Sequence, residues 1–247
     1  MNNERSSWAI RINRGLYRVS RRWLAWFILV AGVYVALPWF APVLMKFGLE
    51  KPAKLIYFVY SFLCHQLPQR SYFLFAPQAT YSLERVQDVW QNTFNPTILR
   101  QFIGNSELGY KVAWSDRMVS MYTSIPLGAM LWWPLRKRLR QLPLWGLGLF
   151  TLPIVIDGGT HMISDLAGIG QGFRDSNLWL VELTNSTFPT AFYAGDALNS
   201  FNSWMRIFTG LLFGFAIVLF SMPALQDAFS DITRQLKAKF ARAGLEL

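Results

Sequence analysis

The chain is poor in the residues from which most active sites are built. Its 247 residues include one cysteine and two histidines. A single thiol excludes an internal disulfide and a zinc ribbon of several thiolates. Charge is also scarce, 15% of residues against roughly 25% in ordinary soluble domains. There is no Gly-rich phosphate loop, dinucleotide-binding fingerprint, haem motif or serine-hydrolase elbow. Internal repeats, heptad arrays and low-complexity tracts are absent as well.

What the chain has instead is apolar and aromatic surface, 53% hydrophobic and 16% aromatic. Trp23 to Met45 carries no charge and is long enough to cross the ~30 Å hydrocarbon core of a bilayer. Met118 to Leu135, Leu142 to Ile156 and Ile207 to Met222 are uncharged too. These runs define a polytopic membrane protein whose first partner is the lipid bilayer.

The net charge of +10 could point to nucleic acid, but its placement does not. Basic residues cluster in three places: Arg5 to Arg22, then Arg136, Lys137, Arg138 and Arg140, then Arg234 to Arg242. Each group flanks an apolar run, the pattern of cytoplasmic loops under the positive-inside rule, so no nucleic-acid partner is expected. Ser20-Arg21-Arg22-Trp23-Leu24 resembles a twin-arginine export signal, but the run after it is too long and has no Ala-x-Ala site. It reads as a retained anchor.

Placing all three basic groups in the cytoplasm fixes a topology. About four spans result: Trp23 to Met45 outward, Met118 to Leu135 back, Leu142 to Ile156 outward, and Arg206 to Met222 back. Both termini are then cytoplasmic in a multi-pass protein of the cell membrane. Leu55 to Leu63 is too short for a fifth crossing and suits a re-entrant or interfacial helix. The expected class is an all-α membrane helix bundle with helical outer loops. Residues 1–22 form a basic cytoplasmic N-terminus, 23–226 a single membrane domain with outer loops 76–116 and 157–205, and 227–247 a basic cytoplasmic tail.

Within the loops, Ser82 is the expected N-cap of a helix reaching Trp90. Pro96 to Phe102 reads as another short helix, and Asp175-Ser176-Asn177 precedes one from Leu178 to Leu183. The apolar residues of loop 76–116 recur at near-helical spacing, so that loop is expected to pack over the outer mouth. Gly210-x-x-x-Gly214 permits a close helix contact.

Ionisable groups at the ends of apolar segments are where function in a lipid-embedded chain is first sought. Here these are Cys64, His65, Arg70, Asp116, Arg117, Asp157, His161 and Arg174. Asp157 and His161 are four apart and share one face of a helix, although Gly158 and Gly159 threaten that helix. The couple could ligate a divalent metal, act as acid and base, or make a buried structural hydrogen bond. His65, Asp116, Asp157 and His161 are therefore the candidate catalytic groups. His65, Asp157 and His161 are the candidate metal ligands, and a divalent metal is the cofactor such a set would accept. Arg70, Arg117 and Arg174 could grip an anion by bidentate contact or pair with the neighbouring aspartates. His65, Asp116, Arg117, Asp157, His161 and Arg174 are expected to share one pocket at the outer interface.

The segment Cys64-His65-Gln66-Leu67-Pro68-Gln69-Arg70-Ser71-Tyr72-Phe73 resembles an uncharacterised membrane family, domain of unknown function two thousand eighty-five. That family pairs a Cys-His-Gln-x-Pro-x-Arg-Ser segment with a downstream Cys-x-Arg-Cys-x-Gly-x-Tyr segment. The second block is matched here by Ser115-Asp116-Arg117-Met118-Val119-Ser120-Met121-Tyr122. A third is Asp157-Gly158-Gly159-Thr160-His161 with Arg174-Asp175-Ser176-Asn177, and a fourth is Arg206-Ile207-Phe208-Thr209-Gly210. Both thiols of the second block are replaced, by Ser115 and Met118, which dismantles the three-Cys, one-His set the family pattern would place together. The resemblance implies an architecture and a site, and no reaction.

Two functions follow. One is a non-catalytic scaffold or accessory subunit among other membrane subunits, its polar cluster tying loops to spans. The other is an enzyme or binder acting on an anionic lipid-like substrate, or on a metal, at the outer face. A transporter fits less well, because no charge falls mid-span.

Overall fold

The computed structural model describes residues 2–246, with side chains from Ser7 onward. It is 68% helical. The chain opens with α1 (Asn2–Arg21), which breaks at Arg22 and continues as α2 (Trp23–Lys46). Next come α3 (Glu50–Ser61), a turn of 3-10 helix at Pro68–Arg70, and β1 (Ser71–Leu74). Two short helices follow, α4 (Leu83–Val89) and α5 (Pro96–Leu99), then β2 (Gly104–Asn105) and β3 (Gly109–Ser115). After them run α6 (Asp116–Leu135) and α7 (Leu144–Asp165). Three small helices, α8 (Phe173–Ser176), α9 (Leu178–Leu183) and α10 (Thr190–Tyr193), lead into α11 (Phe201–Arg242).

Three of these helices, α2, α7 and α11, are long and apolar enough to cross a membrane. α6 has 20 residues but is not among them. Its apolar run is interrupted by Ser120, Thr123 and Ser124. α2, α6, α7 and α11 all carry internal prolines, such as Pro38, Pro126, Pro153 and Pro223, which membrane helices tolerate. α3 has only 12 residues, too few to span. Ala53, Tyr57 and Tyr60 are its buried face, while Leu55, Phe58 and Phe62 stand exposed.

α6 and α11 run side by side at very short range. A Cβ on Gly210 would lie 2.2 Å from Ser120 Oγ, and one on Gly214 would lie 1.8 Å from Ser124 Oγ. The small-residue spacing read from the sequence is thus a contact between backbones. At one end of the bundle, Trp23 stacks on Phe229 at 5.3 Å within a cluster that includes Trp132 and Met222. Towards the other end, fully buried Trp114 stacks on Tyr122 at 4.9 Å and meets Tyr34 and Tyr60 edge-on.

The all-α expectation needs correction. The chain contains a three-stranded antiparallel sheet of order β1-β3-β2. Ser71 pairs with Ser115, and Gly104 with Tyr110. The central strand escapes a sequence reading because four consecutive residues, Lys111 to Trp114 in Gly109–Ser115, are buried on both faces, which erases the alternation that marks a strand. Gly109 sets the turn into it at φ +71, where a Cβ would meet the Leu74 carbonyl oxygen at 2.3 Å. Asn105 closes the same turn by accepting from the backbone of Glu107 and Leu108.

Two other boundaries differ from expectation. α7 does not end at Ile156 but continues through Gly158 and Gly159 to Asp165. α11 runs unbroken to Arg242, so residues 227–242 continue the helix. α1 lies along that extension, with the Arg14 guanidinium donating to the Glu246 carbonyl at 2.8 Å.

The segment between α3 and α6 is a packed layer. Phe73, Tyr81, Val86, Phe102 and Leu108 form a core of their own. Leu99, Leu67 and Ile169 form a second, joining this layer to the α7–α8 turn. Ser82 caps α4 through its hydroxyl on the Arg85 amide, and Asn95 caps α5.

Candidate functional site

The heads of α6 and α11, the last two turns of α7 and the segments on either side meet at one end of the bundle. Four arginines and four aspartates converge there: Arg70, Arg117, Arg174 and Arg206 against Asp116, Asp157, Asp165 and Asp196. Formal charges cancel.

Arg206, on the first turns of α11 and 2% exposed, is the hub. Its Nε donates to both oxygens of Asp116 at 2.8 and 3.0 Å, and its Nη2 to Asp116 Oδ2 at 2.8 Å. Its Nη1 and Nη2 also reach Asp196 Oδ1 and the Asp196 carbonyl, each at 2.6 Å. Asp116 is the first residue of α6, placed by the strand-to-helix junction after Ser115. Arg70 completes this half, holding Asp165 bidentately at 2.7 and 2.8 Å and Asp196 through Nε at 2.6 Å. Burial pushes the Asp196 carboxyl up, but Arg70 and Arg206 outweigh it and hold it well below the ordinary carboxylate range.

The other half is built on Asp157. Arg117 Nη2 donates to one carboxylate oxygen at 2.7 Å and Arg174 Nη2 to the other at 2.8 Å. His161 sits between the halves, buried, with Nδ1 2.9 Å from the Asp157 carbonyl oxygen one turn earlier. A carbonyl only accepts, so this bond puts a ring proton on Nδ1, while Nε2 faces Arg206 Nη1 at 3.5 Å and Asp196 Oδ1 at 3.8 Å. Two buried guanidinium nitrogens, Arg117 Nε and Arg174 Nε, have no partner.

Asn177 anchors the end of α8. It takes φ +45, and its amide donates to the carbonyls of Arg174 and Tyr193, both at 2.7 Å. Asn202 donates to the Arg174 carbonyl too, at 2.7 Å. Asp175 closes the start of α8 by accepting from Gly172 N at 2.8 Å. The backbone carrying Arg174 is thereby fixed to α11.

The sequence-derived candidates divide as follows. Arg117, Asp157, His161 and Arg174 come together directly, and Asp116 and Arg70 join through Arg206 and Asp196. His65 does not join them. It is exposed, at the rim of a small cavity of about 80 Å³ lined by Cys64, Arg70, Arg117, Met118 and Arg206. The expected metal set of His65, Asp157 and His161 is not assembled, because both Asp157 oxygens face arginines and His161 Nδ1 is engaged on a carbonyl. Among the described residues no group of three or more His, Cys, Asp or Glu is placed to hold a metal ion. Cys64 is buried with its Sγ 3.5 Å from Ser115 Oγ, and Met118 lines the same cavity. The three positions where the family resemblance suggests thiols are therefore neighbours, although only one is cysteine here.

Arg206, Asp165 and Asp196 were missing from the sequence-derived set. Arg206 had a readable signal, as the one charge at the head of the longest apolar run near the C-terminus. Asp165 and Asp196 had none, being two acidic residues among several in a polar segment.

Apolar helices able to span a bilayer, joined at one end by a buried ion network, define a membrane protein. A family model described as predicted membrane protein (DUF2085) matches residues 106–220. This supports the family suspected from the sequence. The match takes in three of the four resembling blocks and starts beyond the Cys64–Phe73 segment. A curated relative, uncharacterized protein MJ1492 of Methanocaldococcus jannaschii, is 25% identical over 171 residues, 68% of this chain and 67% of the relative. No solved structure matches.

Proposed function

We propose that the protein is a non-catalytic membrane scaffold or accessory subunit, in which the ion network fastens a folded polar layer onto the bundle. The single observation that carries this is the internal pairing of the charges. Each of the four arginines is bound to an aspartate, the sum is neutral, and His161 is buried on a backbone carbonyl. Within the network no carboxylate or imidazole is left free to act as nucleophile or base on a substrate.

In this reading α6 is a fourth span, both termini are cytoplasmic and the polar layer faces outward. Support comes from the basic residues. Arg136 to Arg140 lie at the end of the bundle opposite the network, as do α1 and the basic half of α11. Asp157→Asn tests the structural role. It leaves Arg117 and Arg174 facing a neutral side chain, so the melting temperature should fall while no ligand-dependent property is lost. Unchanged stability would contradict the proposal.

A second reading, a binder of anionic lipid-like molecules, is favoured by one observation. A crevice of about 620 Å³ between α7 and α11 is lined by Leu149, Leu152, Ile156 and Phe208 and ends at Asp157, Thr160 and Arg174. It has the form of a tail groove that ends at the Arg174–Asp157 ion pair. A phosphatidylglycerol that raises the melting temperature where phosphatidylcholine does not, and fails to do so in Arg174→Gln, would support this reading over the first.

A further inference from the structure

α1 carries a second apolar face besides the one it packs. Ile10, Asn13, Tyr17 and Ser20 are partly or fully buried and form the face that α1 turns to α11. The matching seam on α11 is Phe229, Thr233, Leu236 and Phe240. A different row, Trp8, Ile12, Leu16 and Val19, falls within an arc of about 80° on another side of α1. These four side chains are 40 to 64% exposed.

The bilayer does not cover this row. Arg11, Arg14, Arg18, Arg21 and Arg22 keep α1 out of hydrocarbon, and α2 begins directly after them. α11 continues past its apolar run as one helix, so residues 227–242 carry the seam about 24 Å further. The Arg14 contact to the Glu246 carbonyl holds α1 along that extension. The row meets the bilayer surface only if α1 leaves the seam. Two helices pressed along one seam leave their other faces wet, and a third helix would remove this row from water.

The row also runs into the membrane. Val19 belongs both to it and to a groove of about 680 Å³ that continues along α2 past Trp26, Val30 and Tyr34. Leu225 and Phe229 of α11 close one side of the groove. Apolar surface is therefore continuous from the groove to Trp8, about 17 Å beyond Val19. One edge of the row is basic. Arg11 and Arg18 sit beside it, with Arg22 at its foot, and none of them forms an ion pair among the described residues. A second copy of the chain, related by an axis normal to the membrane, would set these arginines against their own equivalents.

We infer that this face docks a single membrane-spanning helix of a partner subunit, whose span fills the groove and whose continuation outside the bilayer is amphipathic and acidic. Its apolar side covers Trp8, Ile12, Leu16 and Val19, and its carboxylates meet Arg11, Arg18 and Arg22. The inference rests on the accessory-subunit reading and names the kind of helix that such a subunit holds.

A synthetic helix tests this on the full chain in phosphatidylcholine nanodiscs. The probe is a dansylated peptide with a Leu–Ala span of about 20 residues, extended by an amphipathic segment of leucines flanked by glutamates. Energy transfer from the protein's tryptophans, which include Trp8 and Trp26 at the site, should saturate. Exchanging the glutamates for lysines should weaken binding about tenfold or more, the scale of two ion pairs. The double variant Arg11→Glu with Arg18→Glu should reverse that preference at an unchanged melting temperature, and Leu16→Ser should weaken both peptides. No saturable transfer with the acidic peptide overturns the inference, as does equal affinity for the two peptides. Wild-type dimers that Leu16→Ser dissociates, seen by native mass spectrometry without peptide, assign the face to a second copy and overturn it. Loss of transfer when phosphatidylglycerol is added assigns the row to the bilayer surface, with the same consequence. Asp157→Asn reads the parent proposal separately: a lowered melting temperature beside a peptide that does not bind removes this inference alone.

Discussion

Arg206→Met isolates the hub of the network. In the native protein the Arg206 guanidinium satisfies both oxygens of Asp116 and one oxygen and the carbonyl of Asp196. After substitution Asp196 keeps Arg70, but Asp116 keeps only the Ser203 hydroxyl at 3.3 Å and the Arg117 amide at 2.8 Å. Asp116 is 2% exposed, so an essentially uncompensated carboxylate remains buried. Removing one partner of such a pair costs about 3–5 kcal/mol. Most of that is the stranded charge rather than the lost attraction, so neutralising Asp116 should recover it. The double variant Arg206→Met with Asp116→Asn should regain about 2 kcal/mol or more, and the cycle should show coupling of that size. Unfolding by SDS in mixed micelles, followed by tryptophan fluorescence, reads all four species. A loss below about 1 kcal/mol, the scale of an exposed ion pair, would refute the reasoning, as would strictly additive effects.

Lys111 is fully buried, and its Nζ donates to the Gln66 and Arg100 carbonyls at 2.7 Å each, two acceptors that match the two N–H bonds of a neutral amine. Burial, with Arg100 nearby, pushes its pKa down to about 7 from 10.5. The unfolded chain then binds the extra proton between those values, so stability should rise with pH from about 7 towards 10.5. The slope is at most ~1.4 kcal/mol per pH unit and should vanish in Lys111→Met when denaturation midpoints are compared across pH. Gly214→Ala drives a methyl into Ser124 Oγ and to 2.5 Å from the Met121 carbonyl, and should cost about 1–3 kcal/mol. Gly148→Ala meets nothing within 4 Å and should not destabilise, so comparing the two melting temperatures tests the α6–α11 contact. Reporter fusions after Phe94 and after Asn185 should both report the non-cytoplasmic side, and a cytoplasmic signal at either one would break the proposed topology.

Much of this was legible because membrane helices are written in uninterrupted apolar runs, which need no knowledge of tertiary contacts. The same holds for local signals such as the Ser82 cap and the helix from Leu178 to Leu183, which the structure reproduces. The sheet was not legible, because β3 is buried on both sides and its pairing with β1 is made across a long intervening segment. The persistence of α7 through Gly158 and Gly159 was also hidden. Glycine propensity argues for a break there, whereas the Arg117 and Arg174 contacts to Asp157 and the His161 bond one turn back hold the helix together. At the site, position beside an apolar run identified Arg117, Asp157, His161 and Arg174. Which acids complete the network depended on how far α7 runs and on the loop that carries Asp196, and no local pattern marks Asp165 or Asp196.

The central claim is that the network serves the fold and holds no ligand of its own. Native mass spectrometry of the protein released from bilayers containing phosphatidylglycerol and phosphatidylcholine tests this most directly. The account predicts that the wild-type chain carries no stoichiometric phosphatidylglycerol and that its lipid adducts match those of Arg174→Gln. One phosphatidylglycerol retained per wild-type chain, and lost in Arg174→Gln, would contradict it.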